Sequence, residues 1–487
     1  MRQRLLYLAF IVLPLAVYFP VLINEYGQGG DFAMLHLAKS EGAVAGVDPA
    51  YGETVLYRAL LDSSFRVVNG VEALWLLRLV AVLLLGVLGA LIWRQLDNSG
   101  WPELDSAALG MMIILLPAAQ ATAGWALSWP RTLALLFAVA GFAAVETELE
   151  AGGLKRAVAV LGGAFIYALA TMIRPELVFF GLVPLGAVML VRIRKSPTSQ
   201  SVGTWLSLHL GVLAAGWIAG RLLEHWASGD PIATLEGAKQ ASRWFFLEAA
   251  PGALAQFPLL DDHNVGAWYF WPVLLAVVAA ILYAFRIEQT LDGEKARFKG
   301  LMCGLGLPSI ILAAMLVSGE VAPAGYREAY PLSALTAVAL FAGWRTMLRA
   351  KRIKSWAHYF GLAGVIALAA ILAHWNTQSL IATPRAEEWS HVQASIASVS
   401  FKSPQRVHLI SAGEEDRNTE RTYGREFGAM ASTDEAILRQ MFEAVLRKRF
   451  PGGLPRGGGT DVTVSAVEPP AGAYDVLVDM RKLRAER

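Results

Sequence analysis

The chain has 487 residues, of which 55% are hydrophobic and only 17% charged, whereas a soluble protein carries about 25% charge. That balance excludes an ordinary water-soluble fold, and a net charge of +2 with dispersed basic residues argues against nucleic acid as a partner. The single cysteine, Cys303, lies in an apolar run, which excludes an intrachain disulfide and a thiolate metal centre.

The first apolar run, 5–23, follows Arg2 and Arg4 and is not followed by a small-x-small cleavage site, so it reads as a retained signal anchor. Further runs long enough to cross a hydrocarbon core lie at 74–93, 106–122, 132–148, 157–173, 177–192, 204–226, 268–287, 301–318, 332–348 and 357–375. Backbone polar groups in lipid must be satisfied within the segment, so each run is expected to be a helix. The expected fold is a polytopic α-helical membrane protein with about eleven transmembrane helices.

Its orientation follows from the basic residues. With the N-terminus inside, Lys155 and Arg156, Arg192 to Lys195, Arg286 to Lys299 and Arg345 to Lys354 all fall on short inward loops. The outward loops hold fewer, spread over more residues, which predicts N-in and C-out in an inner or plasma membrane.

Two outward loops are long, 24–73 and 227–267. In the first, 51–68 places Val55, Leu56, Ala59, Leu60 and Phe65 on one helical face, as an interfacial helix would. In the second, 235–248 has a similar mixture, with Trp244, Phe245 and Phe246 suited to a headgroup belt.

The membrane domain is expected to occupy 1–375 and a small extracytoplasmic α/β domain 385–487. Helices are predicted at 387–399 and 434–450, and strands at 406–410, 462–467 and 474–478, the last two as a pair after the Gly- and Pro-rich stretch 451–459.

Charged residues beside the outward boundary carry the functional information. Asp31 stands in the first outward loop, Arg131 in the second, Arg174 and Glu176 in the third, and Arg327 and Glu328 in the fifth. Ionisable groups at a bilayer boundary are costly unless paired, hydrated or functional. A cavity lined by both signs would suit a substrate that brings a phosphate for the arginines and a hydroxyl for a carboxylate. Structural alternatives stand beside each. Asp31 could cap the helix that follows it, Arg174 could be a snorkelling arginine before Pro175, and Arg327 could pair with Glu328. His36 reads as a packing histidine, and Asp261, Asp262 and His263 as a solvated turn rather than a metal site.

The basic first span, the long outward loop with its early acidic residue, and amphipathic helices in that loop resemble the integral membrane GT-C glycosyltransferases. Thr171-Met172-Ile173-Arg174-Pro175-Glu176-Leu177 and Tyr326-Arg327-Glu328-Ala329-Tyr330-Pro331-Leu332 are similar to stretches in bacterial members. The resemblance covers roughly 1–375 at the level of architecture. It implies a polyprenyl-phosphate sugar donor, a glycan or lipid-linked acceptor and an active site on the extracytoplasmic face. By the same resemblance Asp31 takes the place of the general base, and Arg327 with Tyr330 that of the donor-phosphate site. Arg174 becomes a second clamp, Glu176 orients it or binds sugar hydroxyls, and Arg131 is a third clamp. The chain lacks the adjacent acidic pair that the commonest pattern carries after the first span, so a divalent metal is an open alternative rather than an expectation. Three rival functions stand beside it: a lipid-linked sugar transporter or flippase, an envelope glycan polymerase or ligase, and a membrane-anchored scaffold whose function resides in the C-terminal domain.

Overall fold

The computed structural model describes residues 2–40, 54–68, 70–149, 153–195, 199–228, 250–259, 268–292, 307, 310, 330–351, 354–412, 430–455, 457–470 and 472–485. Apart from Leu307 and Ile310, the expected span 301–318 lies outside them, as do the expected helix 235–248, the Asp261 to His263 turn, and Arg327 with Glu328.

The protein is a helical membrane protein. Seven described helices are long and apolar enough to cross a bilayer, and an eighth crossing is a bent pair. The chain enters through α1 (Arg2–Val17) and the short α2 (Phe19–Ile23), broken apart near Pro14 and Pro20, as expected where proline removes a donor. Loop helices α3 (Gly29–Ser40) and α4 (Val55–Val67) follow, the second matching the amphipathic stretch anticipated at 51–68. Then come α5 (Leu74–Asn98), α6 (Glu103–Ile113), α7 (Pro117–Gly124), α8 (Trp129–Thr147), α9 (Gly153–Ile173), α10 (Leu182–Lys195) and α11 (Ser199–Ser228). After α12 (Ala250–Leu259) the bundle continues with α13 (Phe270–Asp292), α14 (Tyr330–Lys351) and α15 (Ser355–Asn376).

The run 106–122, expected as one straight span, is instead α6 and α7 bent by 53°. Pro117 opens α7 and cannot donate to the preceding turn. The break leaves carbonyls that lipid cannot satisfy, and three side chains take them. Tyr330 donates its hydroxyl to the Ile113 carbonyl at 2.8 Å, Tyr18 to Ile114 at 2.5 Å, and Gln120 its amide to Leu115 at 2.9 Å. The run 177–192 likewise opens with a 3-10 turn, Leu177–Gly181, before α10 begins.

Helices pack closely where glycine lets them. A Cβ on Gly86 of α5 would run into the Phe10 carbonyl oxygen of α1, and one on Gly110 of α6 would stand 2.7 Å from the Gly89 carbonyl. Small residues at such crossings are how lipid-embedded helices approach without a hydrophobic drive. Gly86→Ala is therefore expected to push α1 from α5 and lower stability by about 1–3 kcal/mol, read as a drop in melting temperature of the detergent-purified chain.

A buried carboxylate and a half-buried one tie helices at the end of the bundle where α1 begins. Asp105 of α6 accepts from Arg345 Nε at 2.9 Å and contacts His358 Nε2 at 2.7 Å, while Trp344 donates to His358 Nδ1 at 3.3 Å. Glu146 of α8 is held by Arg192 Nη2 at 2.6 Å, Trp205 Nε1 at 2.8 Å and His209 Nε2 at 3.0 Å.

At the other end α15 does not stop where the tail was expected to begin. It runs through a π-helical turn, Thr377–Ala382, into α16 (Thr383–Ala397), a continuous helix carrying the chain out of the bundle. His374 Nδ1 lies 3.0 Å from the Val17 carbonyl, so α1 and α15 finish at the same end. The C-terminal domain thus sits opposite the end where α1 starts.

That domain is a three-stranded parallel sheet of order β2-β1-β3, with β1 Pro404–Ile410, β2 Gly459–Ser465 and β3 Val476–Asp479. The helix α17 (Glu435–Arg449) lies between β1 and β2 in the chain, and the short α18 (Arg481–Ala485) ends the described chain. The pairing expected between the last two strands does not occur, because both flank β1, Val407 facing Val462 on one side and Val476 on the other. Parallel neighbours need crossovers rather than a hairpin, and β1 is the strand buried along most of its length.

Candidate functional site

The segment between α2 and α5 is built around a carboxylate and a guanidinium, both buried. Asp31 is the third residue of α3, and its Oδ2 accepts from the Gln28 backbone N–H at 2.9 Å. This is the returning half of a capping box. Its Oδ1 accepts from the Leu127 N–H at 3.1 Å, in the 3-10 turn Ala126–Ser128 that precedes α8. Asp31 therefore latches the segment after α2 onto the turn before α8.

Arg78 of α5 supports the same segment from within the bundle. Its guanidinium donates to the Val21 carbonyl at 2.9 Å, to the Asn24 carbonyl at 3.2 Å and to the Tyr26 carbonyl, and it stacks 3.6 Å from the Tyr26 ring centre. The Tyr26 hydroxyl donates to the Gly124 carbonyl at 2.8 Å, at the end of α7, and burial pushes its pKa up to about 12.

Burial also pushes the Asp31 carboxyl above its usual range, against the opposing pull of Arg78 and of N–H donors from Gln28, Leu127 and Ala126. With its folded pKa above the ordinary 3.8, the folded chain holds more protons than the unfolded chain between the two values. The stability this group contributes is present below the ordinary pKa and falls as pH rises through the raised one. The melting temperature of the wild type minus that of Asp31→Asn is expected to be largest near about pH 4 and to shrink as pH rises.

A second group lies beside this latch, centred on Tyr57 of α4. Its hydroxyl donates to the Leu127 carbonyl at 2.8 Å, so the turn that donates to Asp31 also accepts from Tyr57. The Arg174 guanidinium stands 4.9 Å from the Tyr57 ring centre and that of Arg131 5.9 Å. Thr54 donates to the Ile173 carbonyl at 2.7 Å, joining the start of α4 to the end of α9. Glu176 faces Arg174 Nη1 at 4.0 Å. It is 4% exposed, yet neither carboxylate oxygen receives a hydrogen bond. The Gln28 side chain is also buried, with its amide nitrogen and oxygen both unpartnered.

The structure thus brings Asp31, Arg131, Arg174 and Glu176 to one end of the bundle, linked through Leu127 and Tyr57. It separates Tyr330 from its expected role. The Tyr330 ring stands edge-on to Phe180 at 5.0 Å and its hydroxyl is spent on the Ile113 carbonyl, so it closes the α6–α7 bend and has no donor left for a phosphate. Arg327 falls outside the described residues. Among the described residues no three His, Cys, Asp or Glu side chains gather as metal ligands.

Sequence reasoning missed Tyr57, Tyr26 and Gln28 as members of the site. Arg78 did carry a signal, an arginine placed inside an apolar run, where ionisable residues are rare and seldom idle.

The C-terminal domain docks on the same segment. Phe32 stacks on Trp389 at 5.8 Å, and Trp389 Nε1 donates to Glu25 at 2.8 Å. Lys448 pairs with Glu25, and Arg447 Nη2 reaches His36 Nδ1 at 2.9 Å. The His36 expected to pack apolar surface is instead half-buried between Arg447 and Glu443. Ile437 lies so close to Gly29 that a Cβ there would be 2.6 Å from its Cδ1.

No family model matches the chain, and no curated protein matches it.

Proposed function

We propose that the protein is a GT-C-like, inverting glycosyltransferase that moves a sugar from a polyprenyl-phosphate donor to a glycan or lipid-linked acceptor. It works on the extracytoplasmic face of a cell membrane, with about eleven spans, the N-terminus inside and the C-terminal domain outside. One observation carries the reading: residues from three separate loops meet around Tyr57 as two guanidinium groups and a buried carboxylate with open oxygens. Buried charge left without hydrogen bonds is expensive, and a ligand with matching donors relieves that cost.

The chemistry follows from those groups. The acceptor hydroxyl attacks the anomeric carbon and gives its proton to a carboxylate. The bond from that carbon to the lipid phosphate breaks, and the departing phosphate takes its charge between Arg131 and Arg174, with Arg327 a further candidate. Asp31 was the expected base, but both its oxygens accept from backbone N–H groups. Glu176, whose oxygens accept from none, is the better placed proton acceptor, and Asp31 holds the loop on which the cluster depends. A transport reading would use the broken α6–α7 pair as a cargo site, yet the carbonyls of Ile113, Ile114 and Leu115 are already taken by side chains.

Purified protein reconstituted in liposomes with radiolabelled polyprenyl-phosphate sugars is expected to transfer label to an acceptor, using donor on the face that carries the C-terminal domain. Movement of intact labelled lipid between leaflets without transfer would replace this reading by the flippase one.

A further inference from the structure

At the far end of the bundle from the cluster, α6, α14 and α15 leave a cavity of about 300 Å³ between them, at the lower end of the range for ligand pockets. Its walls include Met112, Leu340, Phe341, Trp344, Gly361 and Val365, and they are almost wholly apolar. Trp344 at 42% exposure and Val365 at 49% open it sideways to the lipid. The groove is held in shape, because the Trp344 indole donates to His358, which is fixed in turn on Asp105.

The junction of α14 and α15 is basic on both sides of residues 352–353. Arg349, Lys351 and Lys354 are exposed on it, and Gly361 lies about 10 Å further along α15 than Lys354 at 1.5 Å per residue. Asp105 of α6 adds no net negative charge there, since it is paired with Arg345. Trp356 and Phe360, 68% and 78% exposed, mark the headgroup boundary beside the junction.

We propose that the groove is a binding site for an anionic phospholipid of the leaflet at the Arg2 end of the bundle. One acyl chain lies against Phe341, Gly361 and Val365, and the phosphate sits on Arg349, Lys351 and Lys354. The chemistry is that of basic pockets between membrane helices, where each cation adds attraction for an anionic headgroup. The site is independent of the transfer reaction and stands or falls without it.

Native mass spectrometry of the full-length purified chain, titrated with phosphatidylglycerol and phosphatidylcholine of identical oleoyl chains, tests the proposal. Phosphatidylglycerol is expected to bind at least about tenfold more tightly, and the combined Arg349→Gln, Lys351→Gln, Lys354→Gln variant to bind both lipids alike. Gly361→Phe has open space for its Cβ, and its ring is expected to fill the groove and abolish binding of either lipid there. Val365→Trp fills the same groove from α15 and decides the matter should Gly361→Phe fail to fold. Equal binding of the two lipids by the wild type, a charge preference that survives the triple variant, or binding unaffected by both groove-filling variants would overturn the proposal. So would displacement of phosphatidylglycerol by an equal concentration of polyprenyl phosphate, which would make the groove a carrier site instead.

Discussion

Glu176→Gln is expected to lower the rate of sugar transfer by about 10²–10⁴-fold while leaving the melting temperature at or above that of the wild type. The two halves of this result come from one geometry. The Glu176 carboxylate is buried, faces Arg174 at 4.0 Å, and receives no hydrogen bond on either oxygen. In the resting protein its charge is therefore poorly compensated, and a neutral amide of the same shape costs the fold little. In the reaction the same oxygens are the proton acceptor, and glutamine has no basic site to offer. A glutamine variant that melts normally and transfers at the wild-type rate would remove Glu176 from the chemistry.

Asp31→Ala is expected to behave in the opposite way, costing about 2–5 kcal/mol of stability because two buried backbone N–H groups lose their acceptors. Those donors belong to Gln28 and Leu127, 99 residues apart in the chain, so the loss uncouples the segment after α2 from the turn before α8. Transfer falls with it, since Tyr57 binds the same Leu127 by its carbonyl. Thermal melting separates this from a direct catalytic role. If Asp31→Ala melts like the wild type, Asp31 is not a latch, and loss of transfer in that variant would return it to the place of the base.

The contrast between these two carboxylates marks the limit of what the sequence discloses. Apolar runs were legible because lipid demands them, and the seven spanning helices fall on them. The helix α4 was legible as an element but its buried face was not, since Val55 and Ala59, expected on the apolar face, are exposed and Tyr57, Leu61 and Phe65 are the buried residues. The bend between α6 and α7 was not, although Pro117 stood in plain view. The run stays apolar through the break, and the groups that make the break tolerable, Tyr18 and Tyr330, lie 96 and 217 residues from the carbonyls they cap.

For the candidate site, charge at an expected membrane boundary pointed to Arg131, Arg174, Glu176 and Asp31, which the structure gathers at one end of the bundle. What charge could not disclose is which carboxylate is already satisfied. That depends on where the Leu127 N–H comes to rest, a matter of tertiary packing. The strand pairing failed for a related reason. Two late strands close in sequence were read as a pair, whereas the burial of β1 draws one to each side of it.

Docking of the C-terminal domain adds a functional consequence. Trp389 and Lys448 hold Glu25, and Arg447 holds His36, so the domain grips both ends of the segment that carries Asp31. A domain seated there can control access to the cluster without supplying a catalytic group of its own.

The most direct test of the central claim, that the guanidinium groups beside Tyr57 form a phosphate site, is equilibrium binding of short-chain polyprenyl phosphate to the purified chain. Saturable binding that weakens at least about tenfold in Arg174→Gln and again in Arg131→Gln, in variants that still show a cooperative melting transition, is the predicted result. Binding that is absent in the wild type, or indifferent to both substitutions, would contradict it.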